Sequence, residues 1–389
     1  MNAPEPNVDS TATRATATRN NGSPRSQRKR RLGLKLTLAL LSLLCALGLA
    51  ELGLRLLTPM QLGFECKDGR FTHPTEFTLD LTRNTLGYHD VEHGSRRPGV
   101  RRVVLLGDSY VGAGMVSIPE TPARRLEHHL NARSKQPYEV IAIGKGGWGQ
   151  REELIALRTH GIPAEPEIVV TLFLSLNDVT DNSLALRRRA SRQMEVNRRC
   201  PPGVVAMHVD DVPLLLFRWS VLNQLIAHRL SPLLRDRSVD SIRSEYFVYA
   251  RQEDEAWRQA WRKTETLILE TQAAARSAGA RYVVVSGSTA HGVWGPEEGL
   301  ERLMAIYPGM EKLEWDLDKP DKRIARICRE NDIPFLALEP LFRVETIEKD
   351  RQLHFQYDGH WNAAGNDLAA RQIAELLLSL DARPAPESP

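Results

Sequence analysis

Five short apolar runs punctuate this chain, and helix-length stretches separate them. The runs are Val103–Leu106, Glu139–Ile143, Glu167–Leu174, Arg281–Ser286 and Pro334–Leu338. A run such as Val-Val-Leu-Leu, with no polar side chain to face water, suits a strand covered on both faces, the situation found in parallel sheets. Between the runs, Pro119–Leu130 carries Leu126 and Leu130 on one helical face, and Gln150–Arg158 continues as a second helix. Ser244–Ala278 places Trp257, Trp261, Leu267 and Leu269 on a long helical pattern, and Trp315–Asn331 and Ala363–Leu380 complete the set. This alternation predicts an α/β fold: a three-layer α/β/α sandwich around a mostly parallel sheet of about five strands, joined by right-handed crossovers.

The amino-terminal region does not share the pattern. Residues 1–31 are rich in Asn, Pro, Ser, Thr, Ala and Arg with almost no large apolar side chain, so they are expected to form a disordered basic tail. Residues 32–57 follow as a transmembrane signal anchor: Leu36–Ala50 holds no charge, and Glu51 and Arg55 fall where the far interface would lie. Arg28–Arg31 ahead of it predicts a cytoplasmic tail and a periplasmic or extracellular domain beyond. Cleavage after the small residues of Gly48-Leu49-Ala50, or export through the twin-arginine-like Arg30-Arg31, is the alternative. The net charge of +3 belongs to this region: seven basic residues against Glu5 and Asp9 leave residues 1–31 at +5 and the rest of the chain at −2. Without a basic cluster on the folded part, no nucleic-acid partner is expected.

Residues 58–100 read as a linker, with enough Thr, Phe and Leu in Phe71–Leu86 for a strand or two. Residues 101–380 form the expected catalytic domain, interrupted by a polar and helical insertion at about 181–279, and 381–389 a disordered tail. Within the insertion, Val212–Leu234 is apolar enough to be a lid, a membrane-surface helix or an ordinary packed helix. Outside the membrane segment lie Cys66, Cys200 and Cys328, too few for a disulfide framework; Cys66 with Cys200 is the pair to test, and Cys328 reads as a buried helix residue. No His or Cys spacing suggests a metal site, and no cofactor is expected.

Chemistry-bearing residues fall at the ends of the predicted strands. Ser109 follows the first strand in Gly107-Asp108-Ser109, where open α/β sheets place their ligands. Gly144-Lys-Gly-Gly-Trp-Gly-Gln follows the second, with glycines that let backbone amides approach a ligand. Ser175-Leu-Asn177-Asp178 follows the third, where an Asn amide can donate to negative charge. Tyr357-Asp358-Gly359-His360-Trp361-Asn362 precedes the last helix and sets an acid two residues from a histidine. Each block alone is also ordinary turn or cap chemistry; their placement at successive element ends is what points to a nucleophilic serine with a base, an acid and oxyanion donors.

In this order the four blocks resemble those of the SGNH or GDSL hydrolases, over about Arg101–Leu380. The resemblance implies Ser109 as nucleophile, His360 as base and Asp358 as its orienting acid, with the oxyanion bound by the Ser109 and Gly147 N–H groups and the Asn177 amide. Ala142 and Ser175 stand where many members have Asn and Gly, and one residue rather than two separates Asp358 from His360. That shorter spacing resembles the membrane-linked, polysaccharide O-acetylating branch. The expected function is therefore a serine esterase or O-acyltransferase acting on acetyl or related esters of a small molecule or cell-envelope carbohydrate, with a membrane acyltransferase as a possible partner. A non-catalytic, membrane-anchored polysaccharide-binding scaffold is the alternative. Trp148 and Trp361 adjoin catalytic blocks and are weaker candidates for stacking on a sugar, as is His291 for lining the pocket; His128 and His129 are expected to be solvated.

Overall fold

Side chains on opposite faces of one strand set how the layers of this protein assemble. In a computed structural model of the chain, which describes residues 24–57, 65–67, 70–72, 76–199, 237–356 and 358–382, the chain forms two units, Met1–Pro59 and Met60–Pro389. The first contains one long helix, Pro24–Leu57. Its Arg31–Gly53 stretch, with mean hydropathy 2.1, is long and apolar enough to cross a membrane, a measure that a signal sequence also meets.

The second unit begins with a short antiparallel pair, β1 Glu65–Lys67 and β2 Arg70–Thr72. Its centre is a five-stranded sheet of β3 Arg101–Gly107, β4 Tyr138–Gly144, β5 Ile168–Phe173, β6 Arg281–Ser286 and β7 Phe335–Ala337. The strands run parallel in the order β4-β3-β5-β6-β7, with Val103 of β3 opposite Val140 on one side and Ile168 on the other. Val104, Leu106, Ile143, Val169 and Phe173 face a layer that includes Trp261 and Ile268. Val103, Leu105, Val140, Val170 and Leu172 face the opposite layer, with Leu126, Leu130, Ile373 and Leu377. Helices thus cover both faces of a parallel sheet, as expected of uninterrupted apolar strands.

Element ends depart from the sequence where capping intervenes. Ser244–Tyr249 is a 3-10 segment, and the long helix starts only at Glu255, because the Asp254 side chain accepts the Trp257 N–H at 2.9 Å. Trp315 lies outside the helix Lys319–Glu330 and donates its indole N–H to the Met310 carbonyl at 2.7 Å. The polar start of the insertion forms a helix, Leu184–Arg199. Residues 76–86 hold no strand. Farther along the stretch read as a linker, Tyr88, His89 and Asp90 are buried: Asp90 accepts the Ala142 N–H at 2.8 Å and meets Arg124 and His93 at 3.0 and 2.9 Å. His128 is exposed, but His129 is held at 2.9 Å by Asp367 instead of being freely solvated. Cys328 is buried in its helix. Cys200, the Cys66 side chain, the Val212–Leu234 segment and both expected disordered tails lie outside the described residues, apart from the helical start of the first at Pro24 and the last residues before Arg383.

β3 has β4 on one side and β5 on the other, so the carboxyl ends of these three strands meet where open sheets bind ligands. There the four-residue helix Ser109–Gly112 sets Val111 against the strand ends. A Cβ on Gly107 would lie 2.4 Å from Val111 Cγ2, and one on Gly144 2.7 Å from Val111 Cβ. Gly144→Ala is expected to lower stability by about 1–3 kcal/mol by overpacking, and to lower Ser109 reactivity more than stability alone would explain. Thermal melting beside the rate of Ser109 labelling by a fluorophosphonate separates the two effects.

Candidate active site

Ser109 stands at the first turn after β3, and Asp108 fixes that turn by accepting the Tyr110 N–H at 2.9 Å. Ser109 Oγ lies 2.8 Å from His360 Nε2, and His360 Nδ1 lies 2.5 Å from Asp358 Oδ1. With Nδ1–H donated to the carboxylate, Nε2 presents its lone pair to the serine hydroxyl. Asp358 also accepts the His360 backbone N–H at 3.2 Å, and this hairpin-like return requires Gly359 at φ +86°. The acid and the base, two residues apart in sequence, therefore reach each other by a bend at glycine.

Three further residues hold this loop. The Tyr110 hydroxyl donates to the Gly359 carbonyl at 3.1 Å, and its ring centroid lies 4.7 Å from that of His360. Glu76 accepts the Asp358 N–H at 3.1 Å, and Phe77 packs on Phe355 with ring centroids 4.8 Å apart. Tyr110 was visible in the sequence as the neighbour of Ser109. Glu76 carried no signal, because 282 residues separate it from Asp358.

Of the oxyanion candidates, Gly147 adjoins a glycine that lies beside the serine, and Asn177 bonds the residue before it. A Cβ on Gly146 would lie 3.7 Å from Ser109 Cβ, and the adjacent Gly147, at φ +77°, accepts a bond from Arg187 on its carbonyl at 3.3 Å. Asn177 ends the turn after β5, and its amide donates to Asp108 Oδ2 at 2.9 Å and to Asp181 Oδ2 at 3.2 Å. Asp181, one helical turn beyond Asn177, was not singled out in the sequence; its i+4 spacing was the available signal.

Acidic groups underlie the site. Burial raises the Asp108 carboxyl, and burial with the Asp108 charge raises Asp178 and Glu153 well above the usual range. Asp178 Oδ2 accepts the Leu174 N–H at 2.8 Å and the Gln150 amide at 2.7 Å, tying the third strand end to the helix Gln150–Ala156.

The aromatic candidates are placed differently. Trp361 is 2% exposed, donates its indole to Ser288 Oγ at 2.9 Å and stacks on Phe342. A sugar ring has no access to it, so Trp361 is a core residue. Trp148 is half-buried and packs edge-on to Tyr88 at 6.1 Å. His291 meets the Tyr249 hydroxyl at 2.9 Å and Tyr246 edge-on, and burial pushes its pKa down to about 3. It stays neutral beside Ala290, which neighbours Gly359. Among the described residues no group of His, Cys, Asp and Glu is arranged to hold a metal ion.

No protein-family model matches the chain, and no curated protein matches it. Among solved structures, 46 chains are similar. The acetyl xylan esterase AlAXEase is 12% identical, with a TM-score of 0.39 over 72% of this chain and 98% of that one. A lipase/acylhydrolase from Enterococcus faecalis is 15% identical, with a TM-score of 0.38 over 72% and 96%. A two-domain esterase active on acetylated mannans is 11% identical, with a TM-score of 0.40 over 75% of this chain and 52% of that one.

His354, 6% exposed and 3.3 Å from Ser288 Oγ, is pushed down to about 4 by burial. As pH falls below the ordinary histidine value of about 6.5, the unfolded chain takes a proton that folded His354 refuses, and stability declines toward pH 4. Between pH 7 and pH 5 the wild type should lose about 2 kcal/mol more stability than His354→Gln, as read from denaturation at the two pH values.

Proposed function

We propose that this chain is a serine esterase of the SGNH or GDSL type that works through an acyl-enzyme on Ser109. The observation that carries the reading is the hydrogen-bonded relay Ser109–His360–Asp358 at 2.8 and 2.5 Å. His360 Nε2 takes the hydroxyl proton as Ser109 Oγ attacks the ester carbonyl, and Asp358 stabilises the imidazolium that results. The carbonyl oxygen becomes the oxyanion, received by the Ser109 and Gly147 N–H groups and the Asn177 amide; each such donor is typically worth about 3–4 kcal/mol. Collapse breaks the bond to the alcohol, which leaves with the proton from His360. Water, or a sugar hydroxyl in the transfer variant, then gives its proton to His360 and attacks the acyl-serine; the bond to Ser109 Oγ breaks, His360 returns the proton to that oxygen, and the acyl product leaves.

The substrate class we infer is an acetyl ester, supported by the one-residue spacing of Asp358 and His360, which resembles the polysaccharide O-acetylating branch. The apolar Arg31–Gly53 stretch behind Arg28–Arg31 supports a single-pass anchor with the catalytic domain on the periplasmic or extracellular side, within reach of envelope carbohydrate and of a membrane acyltransferase.

A fluorophosphonate is expected to label the wild type and not Ser109→Ala. His360→Ala should abolish turnover, and Asp358→Asn should cost roughly 3–5 kcal/mol in kcat/KM by releasing the imidazole tautomer. No labelling of a folded wild type would favour the scaffold reading. Among chromogenic esters, acetyl is expected to be released faster than long acyl groups; a strong preference for long chains would overturn the acetyl assignment. A reporter fused after Leu380 should be active only if it functions outside the cytoplasm.

A further inference from the structure

The Asn177 amide has two hydrogens and gives both to carboxylates: Asp108 at 2.9 Å and Asp181 at 3.2 Å. An ester oxygen is a third acceptor, so one carboxylate has to let go before Asn177 can serve it. The two are unequal. Asp108 is 1% exposed, also accepts the Tyr110 N–H, and approaches Asn177 more closely, so releasing it leaves a buried carboxyl short of a donor. Asp181 has a longer bond, a side chain 19% exposed, and a second partner in Arg187 Nε at 3.5 Å. Arg187 in turn reaches Glu152 at 3.2 Å and the Gly147 carbonyl at 3.3 Å, so the pairing partner of Asp181 already spans the oxyanion loop.

We propose that Asp181 keeps the oxyanion hole closed: it is a positioning residue acting through Asn177, and acyl transfer proceeds when Asn177 exchanges Asp181 for the ester oxygen and Asp181 turns to Arg187. The inference rests on the esterase reading and deepens it by naming what regulates the site. Charge acts in the same direction as geometry. While Asp181 holds the amide, its carboxylate sits beside the position of the developing oxyanion and repels it. The charged groups facing Asp181 are Arg187 from the helix Leu184–Arg199, Glu152 from the helix Gln150–Ala156 and Asp108 from the end of β3. Burial and the two like charges push Asp181 up to about 7 against the pull of Asn177 and Arg187. Protonation below that pH removes the charge and weakens the hold on Asn177.

The test uses the full chain in membranes, with fluorophosphonate labelling and acetyl-ester turnover as rate readouts. Asp181→Ala is expected to label and turn over about tenfold faster than wild type at pH 8. The ratio should fall toward one at pH 6, where the wild type is protonated. Asp181→Asn, which keeps the shape without the charge, should also be faster than wild type at pH 8, and Asn177→Ala/Asp181→Ala should show no gain over Asn177→Ala. A folded Asp181→Ala that is slower at both pH values would overturn the proposal, as would a gain independent of pH or one that survives loss of Asn177. A readout free of turnover is the side-chain amide resonance of Asn177 in asparagine-labelled protein. It should titrate near pH 7 in wild type and not in Asp181→Ala, and a flat wild-type resonance counts against the proposal. Failure of the esterase reading looks different: wild type and Ser109→Ala are then alike in labelling, whatever stands at 181.

Discussion

Val111 lies between the last residues of two neighbouring parallel strands, and the space for it exists because β3 and β4 both end in glycine. Its fit draws the turn Ser109–Gly112 down onto the sheet and fixes the direction in which Ser109 leaves it. The same approach brings Gly112 against the Gly144 carbonyl, where the Lys145–Gly149 loop begins, so Ser109 and that glycine-rich loop share one packing contact. The dyad arrives from the far end of the chain and is adjusted to this fixed point by the bend at Gly359 and the Tyr110 hydroxyl.

Asp108 and Asp178, just past the ends of β3 and β5, and Glu153 of the helix Gln150–Ala156 are all buried, and none has a cation against it among the bonds described. Among the described residues neither Glu153 oxygen has a hydrogen-bond partner, which a protonated acid tolerates better than a carboxylate. Burial raises Asp108, so the groups beneath the serine form an acidic patch in which a carboxyl is held neutral more readily than elsewhere.

The sheet was legible because strands covered on both faces have no polar residue to disguise them, as Val103–Leu106 illustrates. Helix starts were less so: Ser244–Ala278 reads as one helical stretch, and the break falls at the polar Arg251–Glu255, where the Asp254 cap starts the long helix. Ser109, His360 and Asp358 could be proposed from their blocks, since each block sits at an element end. What the blocks do not encode is contact between distant segments. Glu76 touches the acid loop from an irregular stretch without periodicity, and Trp361, next to His360 in sequence, turns inward because the segment after His360 enters the core. Adjacency in sequence was a good guide for Tyr110 and a poor one for Trp361.

The contacts of Glu76 and Phe77 with the Asp358 loop bear on where this folded unit begins. Strand and helix boundaries would start it at Arg101, the first residue of β3. The acid loop, however, has its backbone N–H capped and its Phe355 covered by residues that come before that strand. Asp90 likewise satisfies the Ala142 N–H on the edge strand β4 from the same stretch. A soluble fragment cut at the fold boundary would keep every strand of the sheet, yet it would expose an unpaired edge amide and loosen the carboxylate that aims the histidine. The smallest fragment able to report on the chemistry is longer than the smallest fragment that completes the architecture.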